Sequence, residues 1–317
     1  MKVSIITAFY KGNAYMQQYK RMIRANQQQL SSQDELEAII INDSPEESVV
    51  LPEVGGDCNI RVYDQRENSG IHAARVRGLL ESSGDYIIFL DQDDLLADDA
   101  VAHHIAMMRR WQQDTKEMYD MLHPQLHMTS LADTMRYPVL VSNAVLEQAD
   151  GSSLWYRTDY HKRCVCNYKT YLNVGNQIIS PGQCLIPRCA IPEIWTQKIC
   201  QNNGSDDYYL WLLLFARHTP FVLVDEPLYV HKYTAQNLSA DSRKMDVSTY
   251  EFVAYLEAAD SVEQKDLRLL ERTTRYKDRF RNGGVVTKLL SSIRNPDILL
   301  ANIIFKIRTK TPYGFNR

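Results

Sequence analysis

Four short apolar runs rich in β-branched residues recur through the first 90 residues and predict buried strands. They cover residues 3–9, 36–41, 59–63 and 85–90. Between the first two, a Gly12-Asn13 turn precedes apolar side chains at helical spacing (Tyr15, Tyr19, Met22 and Ile23), and residues 71–82 predict a second helix. Because strands that alternate with helices build a parallel sheet, the pattern predicts an α/β fold. Ligands of such sheets bind beyond the carboxyl ends of the strands, so the loops after residues 9, 41 and 90 are the expected place of chemistry.

The alternation weakens beyond residue 110. Residues 138–147 and 153–157, joined through Asp150-Gly151, predict a hairpin appended to the sheet. Helical spacing returns over 207–217. Residues 221–225 and 228–231 then predict two short strands split by Glu226-Pro227, and helices with basic faces are expected from about 240 onward.

Composition adds size and charge to this pattern. The chain has 317 residues, of which 44% are hydrophobic and 24% charged, which excludes disorder, collagen and coiled coil. The formal net charge of −3 gives no support for nucleic-acid binding. It conceals an asymmetry, because residues 268–317 hold 12 Lys and Arg against three acidic residues, a net of +9 that leaves −12 on residues 1–267.

Cysteine use and hydropathy bear on the cellular setting. Six cysteines are too few for a disulfide scaffold, and no charged segment followed by an apolar one opens the chain, so we expect a cytoplasmic protein. The apolar run over 298–305 is interrupted by Asn302 and is far shorter than the roughly 20 residues that span a bilayer. Any membrane contact is therefore expected to be peripheral.

Cys164 and Cys166 lie near His161, but no second Cys or His pair stands at zinc-site spacing, and this disfavours a zinc site.

The sharpest chemical feature is Asp91-Gln92-Asp93-Asp94, directly after the apolar run that ends at Leu90. Three carboxylates in four residues repel one another unless a cation offsets their charge. Mg²⁺ and Mn²⁺ prefer oxygen ligands and commonly take one or two carboxylates together with substrate phosphates. The alternative is an acidic helix N-terminus, stabilised by the helix dipole.

Further segments accompany this acidic motif. They are residues 3–10, Ile40-Ile41-Asn42-Asp43-Ser44, Asn68-Ser69-Gly70, residues 74–79, and Asn203-Gly204-Ser205-Asp206-Asp207 with the aromatic run that follows. With the acidic motif they resemble family 2 glycosyltransferases of the GT-A fold over about residues 1–240. The resemblance implies an α/β GT-A sheet with flanking helices, with a nucleotide- and metal-binding half over 1–110 and an acceptor-binding half over 111–240. A basic, mainly helical region is expected over 241–317.

The resemblance also assigns roles to individual residues. It implies that Asp94 binds the metal, with Asp93 beside it facing the ribose or donor sugar, and that Asp207 is the general base. The implied nucleotide contacts are Thr7, Ala8, Phe9, Tyr10, Asp43, Arg75, Asp91 and Asp93. Asn42 replaces the first Asp of the family's second-strand signature, so only Asp43 is carried over. An alternative for Asp206-Asp207 is a helix N-cap pair, because an apolar helical run follows at once.

A departure from the family concerns the metal site. Relatives often place a His where this chain has Thr234, whereas His231 stands three residues earlier and is followed by Lys232. A version of the motif in other relatives would match His231, Thr234, Asn237 and Ser239. His231 is therefore a candidate metal ligand, and the alternative is a structural histidine.

The resemblance implies a metal-dependent, inverting hexosyl- or N-acetylhexosaminyl-transferase that uses Mn²⁺ or Mg²⁺ and a nucleotide-sugar donor, expected to be UDP-linked. The expected acceptor is a glycan or a polyprenyl-diphosphate-linked glycan of cell-surface polysaccharide synthesis. A non-catalytic sugar-nucleotide-binding or scaffolding subunit is a second hypothesis. A sugar nucleotidyltransferase is a third, disfavoured because residues 8–12 contain a single Gly and no Arg.

The basic region allows two interpretations. Its densest cluster is Arg272, Arg275, Lys277, Arg279 and Arg281, and residues 289–307 are amphipathic. Such helices fit the surface of an anionic bilayer, here the inner face of the cell membrane. The alternative is a solvated helical face or a contact between subunits.

Overall fold

The computed structural model describes residues 1–53, 58–122, 137–149, 151–233 and 242–310. Within them, nine strands form one mixed sheet in the order β3-β2-β1-β4-β8-β6-β9-β5, with β7 paired to β6. The strands are β1 (Lys2–Phe9), β2 (Glu35–Asn42), β3 (Ile60–Asp64), β4 (Tyr86–Phe89), β5 (Leu95–Leu96), β6 (Val139–Gln148), β7 (Gly151–Leu154), β8 (Cys184–Pro187) and β9 (Phe221–Lys232).

The helices are α1 (Met16–Gln28), α2 (Ile71–Glu81), α3 (Ala100–Leu122), α4 (Asp159–Val165), α5 (Tyr168–Asn173), α6 (Glu193–Gln197), α7 (Asp206–Ala216), α8 (Ser242–Ala258), α9 (Gln264–Asn282), α10 (Val285–Arg294) and α11 (Pro296–Thr309). The strands and helices predicted in the first 90 residues are confirmed, with ends that shift by a residue or two. No helix in these described ranges is long and apolar enough to cross a membrane.

The first half of the sheet is parallel, as predicted. Strand β1 lies between β2 and β4, and β3 continues the parallel arrangement on the far side of β2. Ile5, Ile39 and Ile88 are fully buried in the core. A parallel sheet is covered on both faces by its crossover helices, which explains why these strands read as unbroken apolar runs.

Two predictions for the second half are wrong in detail. The predicted hairpin exists, but β6 is not appended to the sheet, because it lies between β8 and β9 inside it. The two short strands predicted around Glu226-Pro227 are one strand, β9. Its pairing with β6 shifts register on either side of Asn143, which lies opposite Pro227. Proline has no N–H to donate to the ladder, and the irregularity lets the strand continue past it.

The expected C-terminal helices are present from residue 242 to residue 309. Phe252 and Leu256 of α8 and Leu267 and Leu270 of α9 are buried in the same hydrophobic core as the sheet. The domain boundary at residue 240 stays a prediction, but these two helices pack against the sheet-bearing part of the chain. They are therefore placed to form part of any site at the sheet's edge.

Candidate active site

A cavity of about 780 Å³ opens at the carboxyl ends of β1 and β4. Strand β1 connects towards β2 on one side while β4 lies on the other, so this is the point where the strand order reverses and where ligands of such sheets bind. Gln92 joins the two strand ends, because its Oε1 accepts from Tyr10 N at 3.0 Å and its Nε2 donates to Tyr10 O at 3.0 Å. The loops after β1 and β4 therefore form one wall.

The predicted nucleotide loop is only partly in the cavity. Ala8, Phe9 and Tyr10 line it. Thr7 points elsewhere: it is buried, and its hydroxyl donates to Tyr19 OH at 3.2 Å in the core beneath the sheet. Thr7 lies further from the carboxyl end of β1, where the cavity opens, than the three residues that follow it.

Asp43 lines the cavity at the end of β2 and holds the loop that precedes α2. Its carboxylate accepts from Ser69 N at 2.7 Å, from Gly70 N at 2.9 Å and from Gln65 Nε2 at 2.8 Å. Asn42, which replaces the family's first Asp, donates to Asp64 Oδ1 at 2.8 Å. Its side-chain Oδ1 accepts from Ser44 N at 3.0 Å, so Asn42 shapes the turn beneath Asp43.

Arg75 connects the acidic motif to the Asp206-Asp207 pair. Its Nη2 donates to Asp91 Oδ1 at 2.6 Å and its Nη1 to Asp206 Oδ2 at 2.7 Å. Burial alone would lower the pKa of Arg75, but Asp206 and Asp91 raise it above its usual value, so the guanidinium stays charged. Asp91 Oδ2 also accepts from Ser180 Oγ at 3.0 Å. Arg75 and Asp91 thus hold the two acidic segments together, and both line the cavity.

Asp94 is fully buried at the base of the cavity and is held by β9. Its carboxylate accepts from Tyr229 OH, from Lys232 N at 2.9 Å and, at 3.0 Å, is paired with His231 Nδ1. His231 is a residue that the sequence predicts here, whereas Tyr229 is not, because an aromatic residue inside an apolar strand gives no signal. Thr234, Asn237 and Ser239 lie outside the described residues.

Asp93 lies beside Asp94 in the cavity wall. Burial and the charges of Asp94 and Asp91 raise the pKa of Asp93 to about 6. The two neighbouring carboxylates add to the effect of burial on this pKa, and a cation beside them would reduce their repulsion.

The family resemblance implies a divalent cation, and the residues present fit one. His231 Nδ1 faces Asp94, and its buried Nε2 has no hydrogen-bond partner among the described residues, which leaves that nitrogen for a ligand. In the described part of the chain no three His, Cys, Asp or Glu side chains are already grouped at metal-ligand distances.

Asp207 occupies the first turn of α7 and lines the same cavity. Its Oδ1 accepts from Tyr208 N at 2.7 Å and its Oδ2 from Asn176 Nδ2 at 3.0 Å. Burial and the neighbouring charge of Asp206 raise the pKa of Asp207 to about 7. By contrast, although burial alone would raise it, Arg75 holds the pKa of Asp206 below its usual value. The two adjacent aspartates therefore differ: Asp206 is paired with Arg75, whereas Asp207 has a pKa near neutrality.

The cavity also contains residues that sequence analysis did not place there. Asn176 and Ser180 come from the loop between α5 and β8, and Lys277 and Arg281 come from α9. Lys277 and Arg281 were expected on an outward basic surface, and the structure corrects this placement. Helical spacing alone does not show which side of a charged helix packs inward.

Comparison with solved structures identifies the fold. The fold is the GT-A glycosyltransferase fold: the amino-terminal 349 residues of TarS from S. aureus, solved in complex with UDP-GlcNAc, superpose with a TM-score of 0.57 over 95% of this chain and 81% of that one. Sequence identity in this superposition is 12%, so the likeness concerns the fold.

Sequence comparison finds a family match over the first third of the chain. Residues 4–115 match the family described as Glycosyl transferase family 2, which confirms the predicted resemblance. Over 109 residues the chain is 32% identical to an uncharacterized glycosyltransferase of Haemophilus influenzae, and over 107 residues it is 33% identical to the uncharacterized glycosyltransferase YfnE of Bacillus subtilis. Each alignment covers 33% of this chain, and they cover 42% and 26% of those relatives. Asp207 and the C-terminal helices lie beyond the matched residues.

Proposed function

We propose that this chain is a metal-dependent, inverting glycosyltransferase that moves a hexosyl or N-acetylhexosaminyl group from a UDP-linked donor to a glycan or polyprenyl-diphosphate-linked glycan. One observation carries the proposal: a single cavity is lined by Asp93, Asp94 and His231 and also by Asp207, whose pKa is raised to about 7. Inverting transfer needs a cation for the leaving diphosphate and one carboxylate base for the acceptor.

In the proposed reaction, Asp207 accepts the proton of the acceptor hydroxyl while that oxygen bonds to the anomeric carbon of the donor. The bond from the anomeric carbon to the diphosphate oxygen breaks, and its electron pair leaves with UDP. Asn176 and Tyr208 N orient the Asp207 carboxylate through their hydrogen bonds. A divalent ion bound by Asp94, Asp93 and His231 would supply positive charge for the departing diphosphate.

The residues predicted to contact the nucleotide serve the donor in this proposal. Ala8, Phe9 and Tyr10 would cover the nucleotide base, with Asp43 at its polar edge. Arg75 and Asp91 would act mainly through position, because the guanidinium is already bound to two carboxylates. They keep the metal-binding loop and the base at a fixed separation.

The two other hypotheses have less support. A nucleotidyltransferase needs a basic, Gly-rich loop after the first strand, whereas Tyr10 and Lys11 are tied to Gln92 and Ser44 in a short loop with one Gly. A non-catalytic binding subunit would have no use for a buried carboxylate whose pKa is raised to about 7 beside the cavity.

The test is release of UDP from a panel of UDP-sugars, with Mn²⁺ and candidate acceptors, by the protein and its Asp94→Ala and Asp207→Asn variants. We expect both variants to lose transfer. Asp159→Asn, at an exposed position on α4, is the matched control and should keep it. Full transfer by either active-site variant would sink the assignment, and nucleotide binding without turnover on any acceptor would favour the binding-subunit hypothesis.

Peripheral contact with an anionic membrane is the second part of the proposal. Helix α10 exposes Val285, Val286, Leu289, Leu290 and Ile293 along one side, and α11 exposes Leu300, Ile303, Ile304 and Ile307 along one side. Arg294, Lys306 and Arg308 are exposed on the same two helices. Apolar stripes bordered by cations match the chemistry of an anionic bilayer surface, on the inner face of the membrane in a cytoplasmic enzyme.

A further inference from the structure

Helices α8 and α9 form a polar part of the cavity wall that lies beyond the residues matched to the family. Asp246 of α8 and Thr273 of α9 line the cavity. The two helices are joined by the ion pair between Asp246 and Arg281 and by a hydrogen bond from Tyr250 OH to Asp278 at 3.2 Å. This part of the wall is therefore a pair of packed helices.

The same wall is connected to the segment that carries the proposed base. Ser205, two residues before Asp207, donates from its backbone N to Ser248 Oγ at 3.1 Å. Its hydroxyl donates to Met245 O at 3.3 Å. Asp246 follows Met245 in the chain and lines the same cavity as Asp207. Because the base defines the acceptor side of the cavity, α8 and α9 border that side.

Asp246 has one carboxylate oxygen that no described residue satisfies. The residue is 6% exposed, and its Oδ1 accepts from Arg281 Nη2. Its Oδ2 is buried and has no hydrogen-bond partner among the described residues. Burial raises the pKa of Asp246 above its usual value, although Arg281 lowers it. Since buried polar atoms are normally hydrogen-bonded, this oxygen is available to a donor from a ligand.

Two further acceptor atoms of the cavity wall are unpartnered in the same way. Gln177 is 2% exposed, and its Nε2 donates to Gly175 O at 2.7 Å, whereas its Oε1 has no partner within the described ranges. It follows Asn176, whose amide donates to Asp207. Thr273 is 3% exposed, and its Oγ1 is unpartnered among these residues too. Such acceptors thus come from the loop before β8 as well as from α8 and α9.

The chemistry of these atoms favours a ligand with hydroxyl groups. A carboxylate oxygen and an amide oxygen only accept hydrogen bonds, and a threonine hydroxyl either accepts or donates. A phosphoryl or carboxylate group would bring further acceptor oxygens against Asp246 and Gln177, with no hydrogen to share. An ammonium group is disfavoured because Arg281 already balances the charge of Asp246. A neutral sugar hydroxyl donates without adding charge, so it fits all three atoms.

We propose that Asp246, Gln177 and Thr273 bind hydroxyl groups of a neutral sugar in the acceptor substrate. The inference rests on the proposed function, because the position of Asp207 identifies the acceptor side. The three residues determine specificity and are not catalytic, since the proton transfer and the bond changes stay with Asp207. Arg281 is a positioning residue that holds Asp246 through one oxygen and leaves the other for the sugar.

Saturation-transfer NMR with soluble sugars tests the site on the full chain, with saturating UDP and Mn²⁺ to fill the donor position. Methyl glucoside and methyl N-acetylglucosaminide are the neutral probes, and methyl glucuronide is the acidic counterpart of the glucoside. We expect a neutral probe to bind, with an affinity about three- to tenfold weaker in Thr273→Val and about tenfold or more weaker in Asp246→Asn. The glucuronide should bind more weakly than the glucoside, and Asp246→Asn should narrow that difference because it removes a like charge.

Two comparisons separate lost binding from lost folding. Thr273→Val removes a hydroxyl that bonds to no described residue, so it should leave Tm unchanged or raise it, whereas Asp246→Asn also breaks an ion pair. Ser291, on α10, is 2% exposed, its hydroxyl is likewise unpartnered in the described part of the chain, and it lies outside the cavity lining. Ser291→Ala is therefore the matched control and should bind the neutral probe as the unmodified protein does.

Three results would overturn the proposal: no binding of either neutral probe, equal binding by the Thr273→Val variant and the unmodified protein, or tighter binding of the glucuronide than of the glucoside. Failure of the two proposals is distinguishable. Sugar binding that depends on Asp246 and Thr273, in a chain that transfers from no UDP-sugar, keeps the sugar site and refutes the function. Transfer with an acceptor KM that Thr273→Val leaves unchanged refutes the sugar site alone.

Discussion

Arg75 Nη1 lies 2.7 Å from Asp206 Oδ2, and this contact joins residues 131 positions apart in the chain. It gives Asp206 a charged partner that its neighbour Asp207 lacks. The same guanidinium binds Asp91, so one side chain joins the loop of the proposed metal site to the segment of the proposed base. Stability, pH dependence and metal use of the site are therefore connected through a few buried charges.

Breaking this buried network should destabilise the fold. Arg75→Met leaves Asp206 and Asp91 without their cation, and losses of about 3–5 kcal/mol are typical when one partner of a buried ion pair is removed. Urea denaturation measures the loss. The exposed Arg77–Glu81 pair on α2 provides the control, because Glu81→Gln should change the free energy of unfolding by less than about 0.5 kcal/mol. Equal losses for Arg75→Met and Glu81→Gln would show that the buried network stabilises the fold no more than an exposed ion pair does.

Transfer should depend on pH through Asp207. The base works only when ionised, and its pKa is about 7, so the rate should rise with pH from 6 to 8 and then level off. Removing the charge of Asp206 lowers the pKa of Asp207, so Asp206→Asn should move this rise to lower pH. Asp207→Asn should reduce transfer by about 10²–10⁴. A pH–rate profile of kcat/KM that is flat across this range argues against Asp207 as the base.

Stability should show the opposite trend. A carboxyl group whose pKa rises from 3.8 to about 7 on folding binds its proton more tightly in the folded state, so its contribution is fully present below pH 4 and is lost as the pH rises through 7. At pH 8 the ionised Asp207 costs on the order of 2–4 kcal/mol. Asp207→Asn should therefore have a higher Tm than the unmodified protein at pH 8, and the gain should disappear at pH 4.

Activity should require a divalent cation. Treatment with EDTA should abolish transfer, and added Mn²⁺ or Mg²⁺ should restore it. His231→Ala removes the imidazole ring, whose Nε2 is left for a ligand. We expect this change to raise the Mn²⁺ concentration needed for half-maximal activity by about tenfold or more. His103→Ala, at a partly exposed position on α3, should leave that concentration unchanged. Full activity in EDTA would remove the metal from the mechanism.

The apolar stripes of α10 and α11 should bind anionic vesicles. Leu289 and Ile293 are 61% and 65% exposed, and replacing both with Ser should release the protein from phosphatidylglycerol vesicles in a flotation assay. Leu80→Ser, at an exposed position on α2, is the control and should not reduce binding. Binding should also weaken with salt, because cations border the stripes. A salt-resistant dimer without vesicle binding would assign the stripes to a contact between subunits.

Sequence analysis predicted the first half of the fold closely because each buried strand there is a self-contained apolar run. The second half was harder. Strand β6 resembles a peripheral hairpin strand by pattern, and only long-range pairing with β8 and β9 places it inside the sheet. Pro227 predicts a break between two strands, whereas the register shift opposite Asn143 accommodates it within one.

By itself, the sequence determined the α/β class, the loops where chemistry collects and the carboxylates at Asp43, Asp91, Asp93, Asp94 and Asp207, because short polar motifs after apolar strands are local features. Tertiary structure alone decided the burial, the hydrogen-bond partners and the pKa values of those carboxylates. Contacts between distant segments decide which of the two adjacent aspartates has Arg75 as its partner. They also bring Tyr229 to Asp94 and turn Lys277 and Arg281 towards the cavity. The pKa of a side chain, and with it its charge, depends on burial and on neighbours in space, and the local order of residues does not specify either of these.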